Sequence, residues 1–199
     1  MGARQQQFVQ YCLRLGYGPE SSFKDAHSRL YADTDVAFDS LIQRANSSLH
    51  ALSLVLRSRK DEQSGDTVWA VVNTKADDIS KLATPYAHAE MAYMKKIIEL
   101  IVTSESDEYS ITNFDALNVT KALAEKVKLM QKDAQDLLSR FTDDGWLVQY
   151  SNGRFALGSR ALLELDTYLR NQYPDHIREC HVCHEIVTAH RMELLGQEI

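Results

Sequence analysis

LSLVLRSRKDEQSGDTVWAVVN, residues Leu52 to Asn73, changes the period of the chain. Leu52, Leu54 and Leu56 alternate with Ser53, Val55 and Arg57, and the run from Thr67 to Asn73 is β-branched and aromatic. Successive side chains of a strand point to opposite faces. Period two on either side of a polar, Gly-containing loop therefore predicts a β-hairpin. Upstream the period is helical. Phe8, Tyr11, Cys12 and Leu15 fall at i, i+3, i+4 and i+7, on one helix face. Gly16 to Pro19 stops that helix. Phe23, Ala26, His27 and Leu30 mark a second helix, with Ser22 and Asp25 as a capping-box-like start. Phe38, Leu41, Ile42, Ala45 and Leu49 mark a third, after Asp33-Thr34. Three helices and then a hairpin outline a winged helix.

The outline repeats. A long helix from about Pro85 carries Met94, Ile97, Ile98 and Ile101, and the stretch from Thr103 to Ser110 is a polar break. Leu117 to Leu129 reads as a second helix, and Ala134, Leu137, Leu138 and Phe141 give the third. Trp146, Val148 and Tyr150 alternate with Leu147 and Gln149, ahead of Asn152-Gly153, the strongest short hairpin signal in the chain. A closing helix from Arg160 to Tyr173 packs through Leu162, Leu163, Leu165 and Leu169, and Pro174 ends it. The expected fold is mainly α with small β hairpins (α+β). It is organised as tandem winged-helix domains, residues 1–83 and 84–175, the second with a C-terminal helix.

With 44% hydrophobic residues, the 199-residue chain can build a packed core. Its 22 Lys and Arg face 28 Asp and Glu, a net charge of -6. Broad binding of nucleic acid needs clustered cations, so it is not expected of this chain alone. A groove-reading helix brings its first turns to the DNA. Here the third helix of the second domain carries Asp133 and Asp136 in those turns, and carboxylates repel phosphates. The winged helices are therefore read as protein-facing; the alternative is a DNA-binding or transcription-regulatory tandem. Arg57, Arg59 and Lys60 cluster on the first hairpin, but Asp61 and Glu62 follow at once, so they read as a solvated wing tip.

No apolar run reaches the ~18 residues of a membrane helix. The start MGARQQQFVQYC has no signal-peptide core, and Gln6 stands where a myristoylation motif needs Ser or Thr. Three cysteines make no disulfide framework, and a reduced intracellular compartment is expected. The chain has no Gly-rich phosphate loop, G-x-S-x-G or H-E-x-x-H. His27, His50 and His88 lie in helical patterns with no ligand at metal spacing. No catalytic residue is assigned.

RECHVCHEIV, residues Arg178 to Val187, is the one stretch with ligand chemistry. A C-x-x-C turn offers two thiolates, and structural zinc takes four ligands in a tetrahedron. Cys180 and Cys183 have that spacing, and His184 and His190 are the remaining downstream candidates. A site from these four is arithmetically possible, although Cys183 and His184 are adjacent and their side chains diverge. The redox alternative lacks a surrounding βαβ pattern.

Several stretches together resemble the non-SMC element 1 family. They are GDTVWAVVNTKADDISKLAT, IIELIVTSE, DDGWLVQ, GRFALGSRALLELDTYLRNQYPD and ECHVCHEIV, in order across about residues 5 to 187. That family is the RING-bearing subunit of a structural-maintenance-of-chromosomes complex for DNA repair and homologous recombination. The resemblance implies tandem winged helices and then a variant RING. Cys180 and Cys183 match its first zinc pair, with zinc as the implied cofactor. It implies a MAGE-like partner, a kleisin-like subunit, DNA contact through the complex and a nuclear, chromosome-associated location. It also implies RING-type E3 ubiquitin-protein transferase activity. A RING ligase has no catalytic side chain and positions a charged ubiquitin-conjugating enzyme. A RING cross-braces its zincs with about eight ligands, whereas Val187 is followed by TAHRMELLGQEI, without a further cysteine. Residues 176–199 are accordingly expected to be the start of an incomplete RING-like zinc segment. Without metal-driven folding energy it should be disordered or loosely docked, and the implied ligase activity applies where the RING is complete.

Overall fold

The structure is a computed structural model that describes residues 2–75, 86–104, 109–123, 129–181 and 183–188. The chain divides into two compact units, Met1–Lys75 and Ala76–Ile199.

The first unit runs α1 (Ala3–Leu15), β1 (Tyr17–Pro19), α2 (Glu20–Leu30), α3 (Phe38–Leu49), a 3-10 turn His50–Leu52, β2 (Leu54–Lys60) and β3 (Thr67–Asn73). Its sheet has the order β1-β3-β2, antiparallel throughout, with Gly18 opposite Trp69 and Leu56 opposite Val71. This is the winged-helix order. Strand β1 is the piece that periodicity missed. Gly16 ends α1 in a left-handed conformation, φ +69°, and its carbonyl accepts from Val71 N–H (2.8 Å). A side chain there would strain the backbone. Pro19, with φ -68°, sits at the N-cap of α2. The helix therefore begins at Glu20, and Ser22 and Asp25 lie inside it, not in a capping box as the sequence suggested.

Phe8, Cys12, Phe23, Leu41, Ala45 and Leu49 are fully buried and form the centre of this unit. Trp69 lies across Phe23 and meets Phe38 edge-on, with centroids 6.2 and 5.9 Å away. Burial drives the Cys12 thiol up to about 12, so this cysteine behaves as a packing residue. Strand β2 lies at the edge of the sheet, and Asn46 of α3 takes the place of a neighbouring strand. Its Oδ1 accepts from Leu56 N–H (2.7 Å), and its Nδ2 donates to the Leu56 carbonyl (3.2 Å). Arg59 corrects the expected solvated tip. It is 4% exposed, and its guanidinium donates to Glu62 across 2.8 Å. A buried cation needs such a partner.

The second unit repeats the order. It runs α4 (His88–Val102), β4 (Ser110–Ile111), α5 (Asn113–Ala122), α6 (Gln131–Asp143), β5 (Leu147–Gln149) and β6 (Phe155–Leu157), then α7 (Ser159–Glu164) and α8 (Asp166–Gln172). The sheet order is β4-β6-β5, matching the first unit. Helix α5 starts four residues before the expected Leu117. Thr112 and Asp115 cap it reciprocally: Asp115 N–H donates to Thr112 Oγ1 (3.1 Å) and Thr112 N–H to Asp115 Oδ2 (3.2 Å). Helix α4 begins only at His88, after an extended Ala87, and α5 ends at Ala122, with Leu123 extended, short of the expected Leu129; Pro85 and residues 124–128 lie outside the described residues.

Tyr93, Ile97, Leu138, Phe141, Trp146 and Leu169 anchor the second core. At Asn152-Gly153 the chain turns as expected. Gly153 has φ +80° and donates to the Tyr150 carbonyl (2.9 Å), and Asn152 Oδ1 accepts from Arg154 N–H (3.0 Å). The single closing helix is corrected to two, broken at Leu165 with φ -100° and ψ 5°. Ser159, Ala161, Leu162, Leu163, Leu165, Tyr168 and Leu169 are all buried. At 3.6 residues per turn they cover more than half the circumference of one helix, too wide for a single face. Breaking the axis lets each part bury its own stripe.

Candidate docking surface and metal turn

Helix α6 buries Ala134, Leu137, Leu138 and Phe141. Its outward face carries Lys132, Asp133, Gln135, Asp136 and Ser139, all exposed. The carboxylates of Asp133 and Asp136, in the first turns of this third helix, are thus exposed. The Arg140 guanidinium is engaged within the unit, 2.7 Å from Glu90 and over the Tyr86 ring. What this face offers outward is acidic and polar, which does not suit a phosphate backbone.

Large apolar side chains do reach the surface. Phe114 is 74% exposed and Met130 69%, and in the first unit Leu52 is 63% exposed. Between α4 and α5 lies a groove of about 490 Å³ floored by Leu100, Ile111, Val119 and Ala122 and edged by Lys96 and Asp115. An apolar floor with a polar rim is the composition of protein contact sites. His27 is a packing residue, stacked on Tyr31 and hydrogen-bonded to the Val36 carbonyl (2.6 Å), while His50 and His88 are exposed.

The C-x-x-C stretch forms a tight turn. Glu179 and Ile186 make an antiparallel bridge. Inside it, Cys180 N–H donates to the Glu185 carbonyl (2.9 Å), and His184 N–H donates back to the Cys180 carbonyl (2.8 Å). His184 closes the turn with φ +56°. Cys180 is buried and Cys183 exposed. Two thiols on one turn fit half of a tetrahedral zinc site. Among the described residues no group of three or more Cys, His, Asp or Glu is placed to hold a metal. His184 does not join the cysteines; its side chain is 78% exposed, and His190 lies outside the described residues.

The expectation of a loosely docked tail is corrected for residues 176–181 and 183–188. Ile186 is 4% exposed within the second core, and Ile177 packs against it. Tyr109 donates to the His176 carbonyl (3.0 Å), and Arg178 lies over the Tyr109 ring. Apolar burial contributes to holding this segment, and the sequence reading gave that contribution no weight.

A second polar cluster lies beside the β5–β6 hairpin. The Arg160 guanidinium covers the Trp146 ring at 4.4 Å and pairs with Glu164 (2.7 Å). Burial raises the Glu164 carboxyl above its ordinary value, against the opposing pull of Arg160. A raised pKa means the folded state holds the proton more tightly. The stabilising effect is then complete below the unfolded value and is lost as pH rises through the folded one. Carboxyl NMR titration of Glu164 should show a midpoint above the usual glutamate range. Arg160→Ala should raise it further, and a midpoint lowered by that change would contradict the arrangement.

A family model described as Nse1 non-SMC component of SMC5-6 complex matches residues 5–165. The non-structural maintenance of chromosomes element 1 homolog of Homo sapiens is 33% identical over 185 residues, 90% of this chain and 68% of that protein. The Schizosaccharomyces pombe protein named non-structural maintenance of chromosomes element 1 is 33% identical over 159 residues, 80% of this chain and 66% of that one. A chain from a solved Nse1-Nse3-Nse4 complex superimposes with a TM-score of 0.79 at 29% identity, covering 94% of this chain and 81% of the other.

Proposed function

The chain belongs to the Nse1 family of non-SMC components of the SMC5-6 complex, and from that membership we propose that it is a scaffold subunit whose winged helices dock a MAGE-like partner. Together with a kleisin-like subunit the pair would form a chromosome-associated assembly. The observation that carries this reading is the likeness, along nearly the whole chain, to a chain solved inside an Nse1-Nse3-Nse4 complex. The exposed Phe114, Met130 and Leu52 and the apolar groove beside α4 support it. The outward Asp133 and Asp136 favour a protein partner, with DNA met through the assembly.

The finer part of the proposal is a role in DNA repair and homologous recombination in the nucleus, with RING-type ubiquitin transfer. Cys180 and Cys183 would contribute two ligands to a zinc. That metal, when bound, supplies the cross-link that fixes the surface a charged ubiquitin-conjugating enzyme meets. No side chain of this chain acts as acid, base or nucleophile in that scheme.

Co-expression with a MAGE-like subunit should give one co-eluting peak of 1:1 stoichiometry on size exclusion. Phe114→Asp should weaken the pair about tenfold or more, as loss of a buried apolar anchor does. Wild-type chain eluting alone would sink the docking reading. Discharge of ubiquitin from a loaded conjugating enzyme, compared with and without chelator, tests the ligase part. No zinc-dependent discharge would remove it.

A further inference from the structure

We propose that the groove between α3 and β2 of the first unit is a docking site for an extended, acidic segment of a partner protein. The proposal goes beyond the MAGE-like docking reading and does not rest on it.

The two winged helices differ in charge. Residues 1–75 carry nine Lys and Arg against eight Asp and Glu, whereas residues 76–199 carry thirteen against twenty. The net negative charge of the chain therefore belongs to the second unit. Within the first unit the acids are also unevenly placed. From Ser40 to Lys60 there is no Asp or Glu, while Arg44, Arg57, Arg59 and Lys60 fall in that stretch. Outside it, Asp33 pairs with Arg4 and Glu20 with Lys24, and Glu62 reaches back to Arg59.

This stretch builds most of a groove of about 890 Å³. Apolar Ala51, Leu54 and Val55 line it together with cationic Arg57 and Lys75 and with His50, and the remaining lining side chains are amides and hydroxyls. Among the described residues no carboxylate lines it; Asp77 and Asp78, which follow Lys75, lie outside them. Leu52, between two lining residues, is 63% exposed. The walls are fixed by hydrogen bonds. Leu56 holds both ends of the Asn46 carboxamide, and Thr74 donates to the Ser53 carbonyl from its N–H (2.9 Å) and its Oγ1 (3.0 Å). A site already held in shape costs a ligand less ordering on binding.

The groove follows β2 from Leu54 to Arg57, roughly 10 Å of strand at about 3.3 Å per residue. An extended segment matches that run. Apolar surface beside cations and hydrogen-bond donors recognises carboxylates and an apolar side chain on one ligand. A duplex phosphate backbone makes no use of Ala51, Leu54 and Val55, and it is met by a denser set of cations than Arg57 and Lys75. The outward face of α6 is acidic, so the two units suit partners of opposite charge.

The probe is a fluorescein-labelled peptide of repeating Glu-Glu-Leu, titrated with the full chain and followed by anisotropy. Wild type should bind it saturably, and more weakly as salt is added. Arg57→Glu and Lys75→Glu should each weaken binding about fivefold or more, the effect of reversing one exposed charge of a pair. Arg14→Glu makes the same change of net charge at an exposed residue outside the groove and should bind as wild type does. Unchanged circular dichroism shows that each variant is folded. The peptide with Gln in place of Glu should not bind. No binding by wild type, an equal loss in Arg14→Glu, or no loss in either groove variant would overturn the proposal. Tighter binding of a DNA duplex that displaces the peptide would overturn it too, and would make the groove a nucleic-acid contact. Wild type eluting apart from a MAGE-like subunit counts against the docking reading alone, so the two ideas fail separately.

Discussion

Gly158→Ala should unfold the second unit at a temperature at which the first is still intact. A Cβ built at Gly158 would lie 2.3 Å from the Gly145 carbonyl oxygen and 2.9 Å from its carbon. Both are backbone atoms, so no side chain can swing away. The close approach is itself required by the fold. Gly158 N–H donates to the Trp146 carbonyl (2.9 Å), and Arg160 N–H to the Gly145 carbonyl (3.2 Å). These bonds tie the start of α7 to the entry of β5. A methyl group must push the two segments apart or break them, at a cost of roughly 3 kcal/mol or more. For a unit of this size that is a fall in Tm of roughly 10 °C or more. The chain contains two tryptophans, Trp69 in the first unit and Trp146 in the second. Thermal melts followed by fluorescence of single-tryptophan variants therefore report on each unit separately. Gly18→Ala is the control, since its Cβ would meet only the Leu15 side chain, at 3.4 Å. An unchanged melt of the Trp146 signal would refute the expectation.

Phe141→Ala should destabilise the second unit by about 3–5 kcal/mol, the usual effect of emptying a fully buried aromatic site. Phe141 has no exposed surface. Tyr86 meets it edge-on at 5.0 Å, and Tyr93 stacks at 6.3 Å. Neither tyrosine is free to fill the gap. Tyr93 donates to the Ala116 carbonyl (2.9 Å), and Tyr86 donates to Asp144. Because the hydroxyls are tethered, the cavity persists and the cost falls at the upper end of the range. Phe141→Leu, which keeps most of the volume, should cost less than half as much. Urea titration of both variants measures the difference. Equal midpoints for Ala and Leu would show that the site collapses freely.

The helices and the two hairpins were legible because each repeats its period for long enough to be counted. Phe8 to Leu15 gives two helical turns, and Thr67 to Asn73 gives three strand repeats. Strands β1 and β4 were not legible. They are Tyr17–Pro19 and Ser110–Ile111, too short to show a period, and are defined by pairing with β3 and β6 far along the chain. The break at Leu165 has no Gly or Pro to announce it; it comes from a requirement to bury more faces than one helix has. Arg59 misled for a related reason. Its charge suggested solvent, while in the fold its guanidinium is covered and paired with the equally buried Glu62 carboxylate. At the metal turn the cysteines were readable from spacing alone. The contacts of Arg170 were not, because Asp166, Glu179 and His184 converge on it only after α8 forms.

In both sheets the middle strand is the last to be made. β3 separates β1 from β2, and β6 separates β4 from β5. A ribosome that has released β1 and β2 has therefore produced two strands with nothing to bridge them. Helices α1 to α3 can gather by local contacts, but the sheet must wait for Asn73. Each unit should then snap shut late in its own translation, the first while the second is still unmade. Slow codons placed far enough beyond Asn73 for β3 to clear the ribosome's exit tunnel would give the nascent first unit time to close. Arrest before Thr67 should leave it open to protease.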